Sequence, residues 1–133
     1  MGYVIDTNLF IKKEKGLLAI DSLLNKTSNQ SIGISVITAS ELLHGVHRAK
    51  EQKTHLKRSA FVEAILSEIT LFPFGIKEAR IYAQLWADLA HAGITLGAHD
   101  VMIAATAMAL GHSVLTLDKK DFTRIPGLQV ESI

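Results

Sequence analysis

The sequence predicts an α/β fold: a mostly parallel sheet covered by helices on both faces. Two observations carry this reading. Short runs rich in β-branched residues recur along the chain, separated by stretches with helical apolar spacing. Their order, β-α-β-α-α-β-α-α-β-(α)-β, puts a helical crossover between most successive strands, as parallel neighbours require.

Each element has its own signal. Tyr3 to Asp6 reads as a short buried strand, followed by the turn or N-cap types Thr7 and Asn8. Leu9, Phe10, Leu17, Leu18, Ile20, Leu23 and Leu24 predict one or two helical segments punctuated by Gly16, and "NKTSNQS" predicts a polar loop. "IGISVIT" is the second strand, with Thr38 or Ser40 placed to cap the helix of "TASELLHGVHRA". A long helix is predicted over 54–67, with Phe61, Val62, Ile65 and Leu66 on its apolar face. "ITLFPF" is a third strand, stopped near Pro73.

"IKEARIYAQLWADLAHAG" carries Ile81, Leu85, Trp86 and Leu89 at helical spacing, with Gly93 as its C-cap. "GAHDVMIAATAMALG" is apolar almost all round after Asp100, which predicts a buried helix. "HSVLTLD" is a fourth strand and "LQVESI" a fifth.

Composition narrows the class. The 133 residues fit one domain over 1–133, and a chain 48% hydrophobic and 20% charged can bury a sizeable core. The absence of cysteine excludes disulfides and zinc–thiolate sites. A net charge of +1 gives no global nucleic-acid signature, so local patches must be judged separately. No apolar run reaches the roughly 18 residues of a membrane span. The start lacks the basic-then-apolar order of a signal peptide. The expectation is a soluble cytoplasmic protein with no membrane association.

Four acids sit where such a fold gathers ligands, at the carboxyl ends of parallel strands. Asp6 ends the first strand and Asp118 follows "SVLTL". Glu41 lies just after the second strand, and Asp100 opens the most apolar helix. Singly, each has a structural explanation: N-cap, turn, solvated helix residue or first-turn acid. Together, beside strongly apolar sequence, they are hard to place as solvated surface. Converging carboxylates repel, and a cation compensates them. Oxygen-only ligands suit Mg²⁺ or Mn²⁺, which activate water and hold the oxygens of a phosphodiester. That is nuclease chemistry.

At these residues the sequence resembles the PIN-domain family, and within it the VapC-type toxins of bacterial toxin–antitoxin pairs. The matching stretches are "VIDTN", "SVITASELLHGV", "GAHDVMIAATAMALG" and "VLTLDKKDF", followed by "IPGLQV". They span nearly the whole chain in the family's order. The resemblance implies a PIN-like three-layer α/β/α sandwich with a four- to five-stranded sheet and no appended domain. It also implies Mg²⁺-dependent endoribonuclease activity, in which a metal-activated water attacks the phosphorus.

By position, Asp6, Glu41 and Asp100 match the family's three acids. Asp118 matches the more variable fourth, with Asp121 close by and able to take that role. Asp6 and Asp100 are then the principal Mg²⁺ ligands, and Glu41 and Asp118 complete the pocket. Thr7, Asn8 and Thr116 are candidates to orient water or substrate, or else are capping and strand-packing residues.

Positive charge concentrates in "HGVHRAKEQKTHLKR". As a group, Arg48, Lys50, Lys53, Lys57 and Arg58 are candidates to face RNA phosphates, and Lys12, Lys13, Lys15, Lys119 and Lys120 add to the rim. Singly, each reads as a solvated helix residue. The six histidines form no metal-ligand pattern.

The resemblance further implies a small VapB-like antitoxin partner laid across the active-site groove, and a homodimer. Leu9, Phe10, Leu42, Leu43 and Val46 either line that groove or belong to the core. The competing readings are a PIN-type RNA-processing nuclease without a toxin role, an aspartyl-phosphate phosphotransfer domain, and a non-catalytic RNA- or protein-binding module. The phosphotransfer reading lacks a second Asp where Asn8 stands.

Overall fold

The structure is a computed structural model that describes residues 2–14 and 31–132. Its centre is a five-stranded, all-parallel sheet. The strands are β1 (Gly2–Ile5), β2 (Ser31–Ser35), β3 (Thr70–Phe72), β4 (Ser113–Thr116) and β5 (Val130–Ser132). Five α-helices among the described residues connect them: α1 (Thr7–Glu14), α2 (Val36–Arg48), α3 (Gln52–Glu68), α4 (Ile76–His91) and α5 (Ala98–Leu110). A short 3₁₀ turn, Phe122–Arg124, precedes β5. The readings for Leu17, Leu18, Ile20, Leu23, Leu24 and most of the "NKTSNQS" loop lie outside the described residues, as do Lys15 and the side chain of Lys13.

Alternation along the central strands builds two cores. Successive strand side chains point to opposite faces. Val4 and Val114 therefore join a cluster with Leu85 and Leu89 of α4 and Ile103 and Ala104 of α5. Their neighbours Ile5 and Leu115 join a second cluster with Leu9 and Phe10 of α1, Leu42 and Val46 of α2, and Val62 of α3. Helices cover both faces, which is the three-layer sandwich. As expected, α5 is buried along its length, from Val101 through Ala107 with Met102 half-covered. It ends at Gly111, whose φ of 68° suits glycine.

The strand order is β3-β2-β1-β4-β5. The chain runs outward from β1 through β2 to β3, then crosses back to place β4 on the other side of β1. That reversal makes the carboxyl ends of β1 and β4 the switch point where open α/β sheets hold ligands.

Two expectations are corrected. The second strand stops at Ser35, so Val36, Ile37 and Thr38 form the first turn of α2 rather than more strand. Ser35 is the N-cap in place of Thr38 or Ser40: its side chain accepts a hydrogen bond from the Ile37 N–H at 3.1 Å. Capping outweighs the strand preference of the β-branched run. On α4, Leu85 and Leu89 are buried, but Trp86 is 43% exposed. It stacks on Tyr82 with ring centroids 5.6 Å apart.

Candidate active site

Asp6 follows β1 directly, and its N–H donates to the Leu115 carbonyl of β4 at 2.9 Å. The carboxylate is therefore fixed at the switch point, and it is only 6% exposed. Thr116, the last residue of β4 and fully buried, donates its hydroxyl to Asp6 Oδ2 at 2.8 Å. This bond favours the ionised form but does not prevail. Burial raises the Asp6 pKa from 3.8 to about 6, and the charges of Asp100 and Glu41 push in the same direction.

Asp100 stands in the first turn of α5. Its pKa is also raised, first by burial and then by the charges of Glu41 and Asp121, with His99 acting the other way. Glu41 sits within α2, and both of its oxygens have neighbours. Thr7 donates to Oε1 at 2.7 Å, and His99 Nδ1 stands 3.4 Å from Oε2. A hydroxyl has one proton, so the 3.0 Å contact between Thr7 and Thr38 has Thr38 donating. Thr38 thus supports Glu41 through Thr7 rather than capping the helix, and its three-residue spacing to Glu41 on one helix is the sequence signal for that role.

Three acids distant in sequence thus meet electrostatically at one sheet edge. The fourth position is divided. Asp118 is exposed, and its Oδ1 accepts from the Lys120 N–H at 3.1 Å in a local turn. Asp121 is the residue whose charge reaches Asp100. Asn8 Oδ1 is buried without a hydrogen-bond partner.

Among the described residues, no three acid or histidine side chains stand close enough to share one ion directly. The donor set still suits a hard cation. It consists of carboxylates, and burial together with neighbouring acidic charge raises the pKa of Asp6 and Asp100; Mg²⁺ commonly keeps several waters in its shell.

Beside Glu41 lies a groove of about 630 Å³ between α1, α2 and α3, lined by Thr7, Ile11, Gly45, Arg48 and Arg58 among others. Of the apolar residues considered for a groove, Leu9, Phe10 and Val46 are core, Leu42 is core and also touches the groove, and Leu43 packs partly buried. Arg48, Lys50, Lys53 and Lys57 are exposed. Arg58 is half-buried and donates to the Gly45 carbonyl at 3.1 Å, while His55 Nδ1 lies 2.9 Å from the Val46 carbonyl. Both side chains serve carbonyls in the last turn of α2, where the Val46 carbonyl also accepts from the Ala49 N–H at 3.2 Å.

Residues 3–128 match the family described as PIN domain. The chain belongs to the PIN-domain family. Its relatives there carry VapC names. It is 42% identical over 133 residues to Ribonuclease VapC1 of Rickettsia felis, covering all of this chain and 97% of that one. It is 31% identical over 131 residues to the tRNA(fMet)-specific endonuclease VapC of Salmonella typhimurium, covering 97% and 96%.

Among solved PIN-domain structures, the VapBC2 complex of Rickettsia felis bound to a promoter DNA fragment superposes with a TM-score of 0.90. There the identity is 27%, with 100% of this chain and 99% of that chain covered. DNA-bound VapBC of Salmonella typhimurium gives a TM-score of 0.89 at 29% identity over 99% and 98% of the two chains. No helix among the described residues is long and apolar enough to cross a membrane.

Proposed function

We propose that this PIN-domain chain, a single domain over 1–133, is a Mg²⁺-dependent endoribonuclease and the toxin of a toxin–antitoxin pair. The observation that carries the reading is the buried Asp6 carboxylate at the switch point, held by Thr116 and driven up in pKa beside Asp100 and Glu41. The resemblance to VapC ribonucleases and VapBC complexes supports the toxin role and a VapB-like antitoxin partner. Cytoplasmic RNA is the substrate and a homodimer the working form; both rest on the family resemblance.

Asp6, Asp100 and Glu41 would hold the ion, Mg²⁺ or Mn²⁺, partly through water, with Asp121 closing the set and Asp118 at its rim. Such an ion supplies charge opposite the phosphate oxygens and acidifies water. The chain's own residues do the rest. Thr116 keeps one Asp6 oxygen in place, so the other is directed to the site. Thr7 and His99 hold Glu41 from both sides. A carboxylate of the set takes the proton of the attacking water. The exposed cations Arg48, Lys50, Lys53 and Lys57 bind flanking phosphates, with Arg58 contributing from the groove wall.

The test is cleavage of total cellular RNA with and without Mg²⁺. Asp6→Asn and Asp100→Asn should each lose at least about 100-fold in rate while melting cooperatively, a size typical for loss of charge stabilisation at a reacting centre. Wild-type rates in both variants would end the nuclease reading.

A further inference from the structure

Gly45 is a glycine that the fold does not ask for. It lies inside α2, where glycine is less stable than alanine. The other described glycines have a local reason: Gly75 and Gly97 are the N-caps of α4 and α5, a position that tolerates glycine, and the rest are fixed by space or by φ. A Cβ on Gly2 or Gly33 would run into the Ser31 or Thr70 carbonyl, and Gly93, Gly111 and Gly127 have positive φ. At Gly45 the backbone is helical. A Cβ there would have a single neighbour within 4 Å, Arg58 Cδ at 3.9 Å, which is ordinary contact. Neither close helix packing nor the Arg58 bond to the Gly45 carbonyl therefore requires glycine.

What the missing side chain does is keep the groove wall bare. Glu41, Gly45 and Arg48 fall at helical spacing i, i+4, i+7, along one stripe of α2, and all three line the groove. One end of the stripe is the acidic site, and the other, roughly 10 Å along the helix axis, is an exposed arginine. Arg58 faces the same space from α3.

We infer that Gly45 is a clearance residue, which lets an RNA strand whose scissile phosphate sits beside Glu41 run along α2 and set a neighbouring phosphate against Arg48. The inference rests on the nuclease reading for the identity of its ligand. Charge favours RNA as the occupant: the wall beyond Glu41 offers guanidinium groups to phosphate oxygens. Gly45 then acts by leaving room for substrate, and it touches no reacting atom.

The experiment compares wild type with Gly45→Ala, Gly45→Leu and Arg48→Gln. Unfolding temperature is read first. Binding to a fluorescein-labelled, random-sequence single-stranded RNA is then followed by anisotropy, with Ca²⁺ in place of Mg²⁺. Gly45→Ala should melt about 2–4 °C higher and bind within about threefold of wild type. Gly45→Leu should melt no lower than wild type yet bind at least about tenfold more weakly. With Mg²⁺ it should raise KM for RNA cleavage and leave kcat close to wild type, because it removes binding common to ground and transition states. Arg48→Gln should weaken binding and reduce the salt slope by about one.

Wild-type affinity in Gly45→Leu overturns the inference. So does a marked fall in its melting temperature, since packing would then require the glycine, and so does failure of wild type to bind the RNA. Unchanged RNA binding with lost association of the cognate antitoxin would overturn it in favour of a protein occupant. A wild type that binds but never cuts defeats the nuclease reading and leaves the clearance role standing.

Discussion

A carboxylate that is 6% exposed at the end of an apolar strand needs a physical reason to be there. Water would solvate Asp6 better than Thr116 and the local N–H groups do, which is why its pKa climbs to about 6. Its position was legible in the sequence, because an acid directly after Tyr3-Val4-Ile5 falls at the carboxyl end of a predicted strand. The fourth acid was less legible. Asp118 and Asp121 are three residues apart and both exposed, and spacing alone does not say which carboxylate bears on Asp100.

The structure supplies two particulars: Asp118 spends an oxygen on the Lys120 N–H, and Asp121 raises the pKa of Asp100. Asp121→Asn should therefore lower kcat/KM for RNA at least about tenfold, about 1.4 kcal/mol of barrier. Asp118→Asn keeps an amide oxygen for Lys120 and should cost less than about threefold. Initial-rate cleavage assays at saturating Mg²⁺ separate the two, and the reverse order would return the role to Asp118.

At the scale of elements, helices and strands were readable wherever a single signal ran unopposed. The long apolar α5 and the short buried runs of β1 and β4 are such cases. The junction of β2 and α2 was not, because Ser35-Val36-Ile37-Thr38 carries opposing signals. Its β-branched side chains favour extension, while a serine followed by a turn favours a helix start. The deciding interaction is tertiary. Thr106 of α5 donates to the Met102 carbonyl at 2.9 Å, so across their 3.2 Å contact the Ser35 hydroxyl is the donor. The same oxygen accepts from the Ile37 N–H. A residue 71 positions away in sequence thus fixes the cap. Ser35→Ala removes both bonds in a fully buried place and should destabilise the protein by about 1–2 kcal/mol. Urea unfolding at constant m-value measures it; a loss below about 0.5 kcal/mol would show that the β-branched turn holds α2 without the cap.

For the whole molecule, the acid cluster makes stability depend on pH in the direction opposite to ordinary acid denaturation. An acid whose pKa is higher folded than unfolded binds its proton more tightly in the native state. Below 3.8, Asp6 is protonated in both states and costs nothing. As pH rises from 3.8 through about 6, the unfolded chain ionises first, and native stability falls. The full difference corresponds to about 3 kcal/mol above pH 6, and Asp100 adds to it with the same sign.

A divalent cation reverses this. It binds the ionised carboxylates, competes with protons, and stabilises the native state by mass action. In EDTA, the melting temperature of wild type relative to Asp6→Asn should fall between pH 5 and pH 7. The comparison cancels histidines that titrate in the same window. At pH 7 without metal, Asp6→Asn should be the more stable protein. Millimolar Mg²⁺ should restore wild type at pH 7, do less at pH 5, and leave Asp6→Asn nearly unchanged. A wild-type curve parallel to that of Asp6→Asn across this range, with or without Mg²⁺, would mean that Asp6 neither carries the burial cost and repulsion that raise its pKa nor gathers an ion. The electrostatic basis of the proposed site would then be gone.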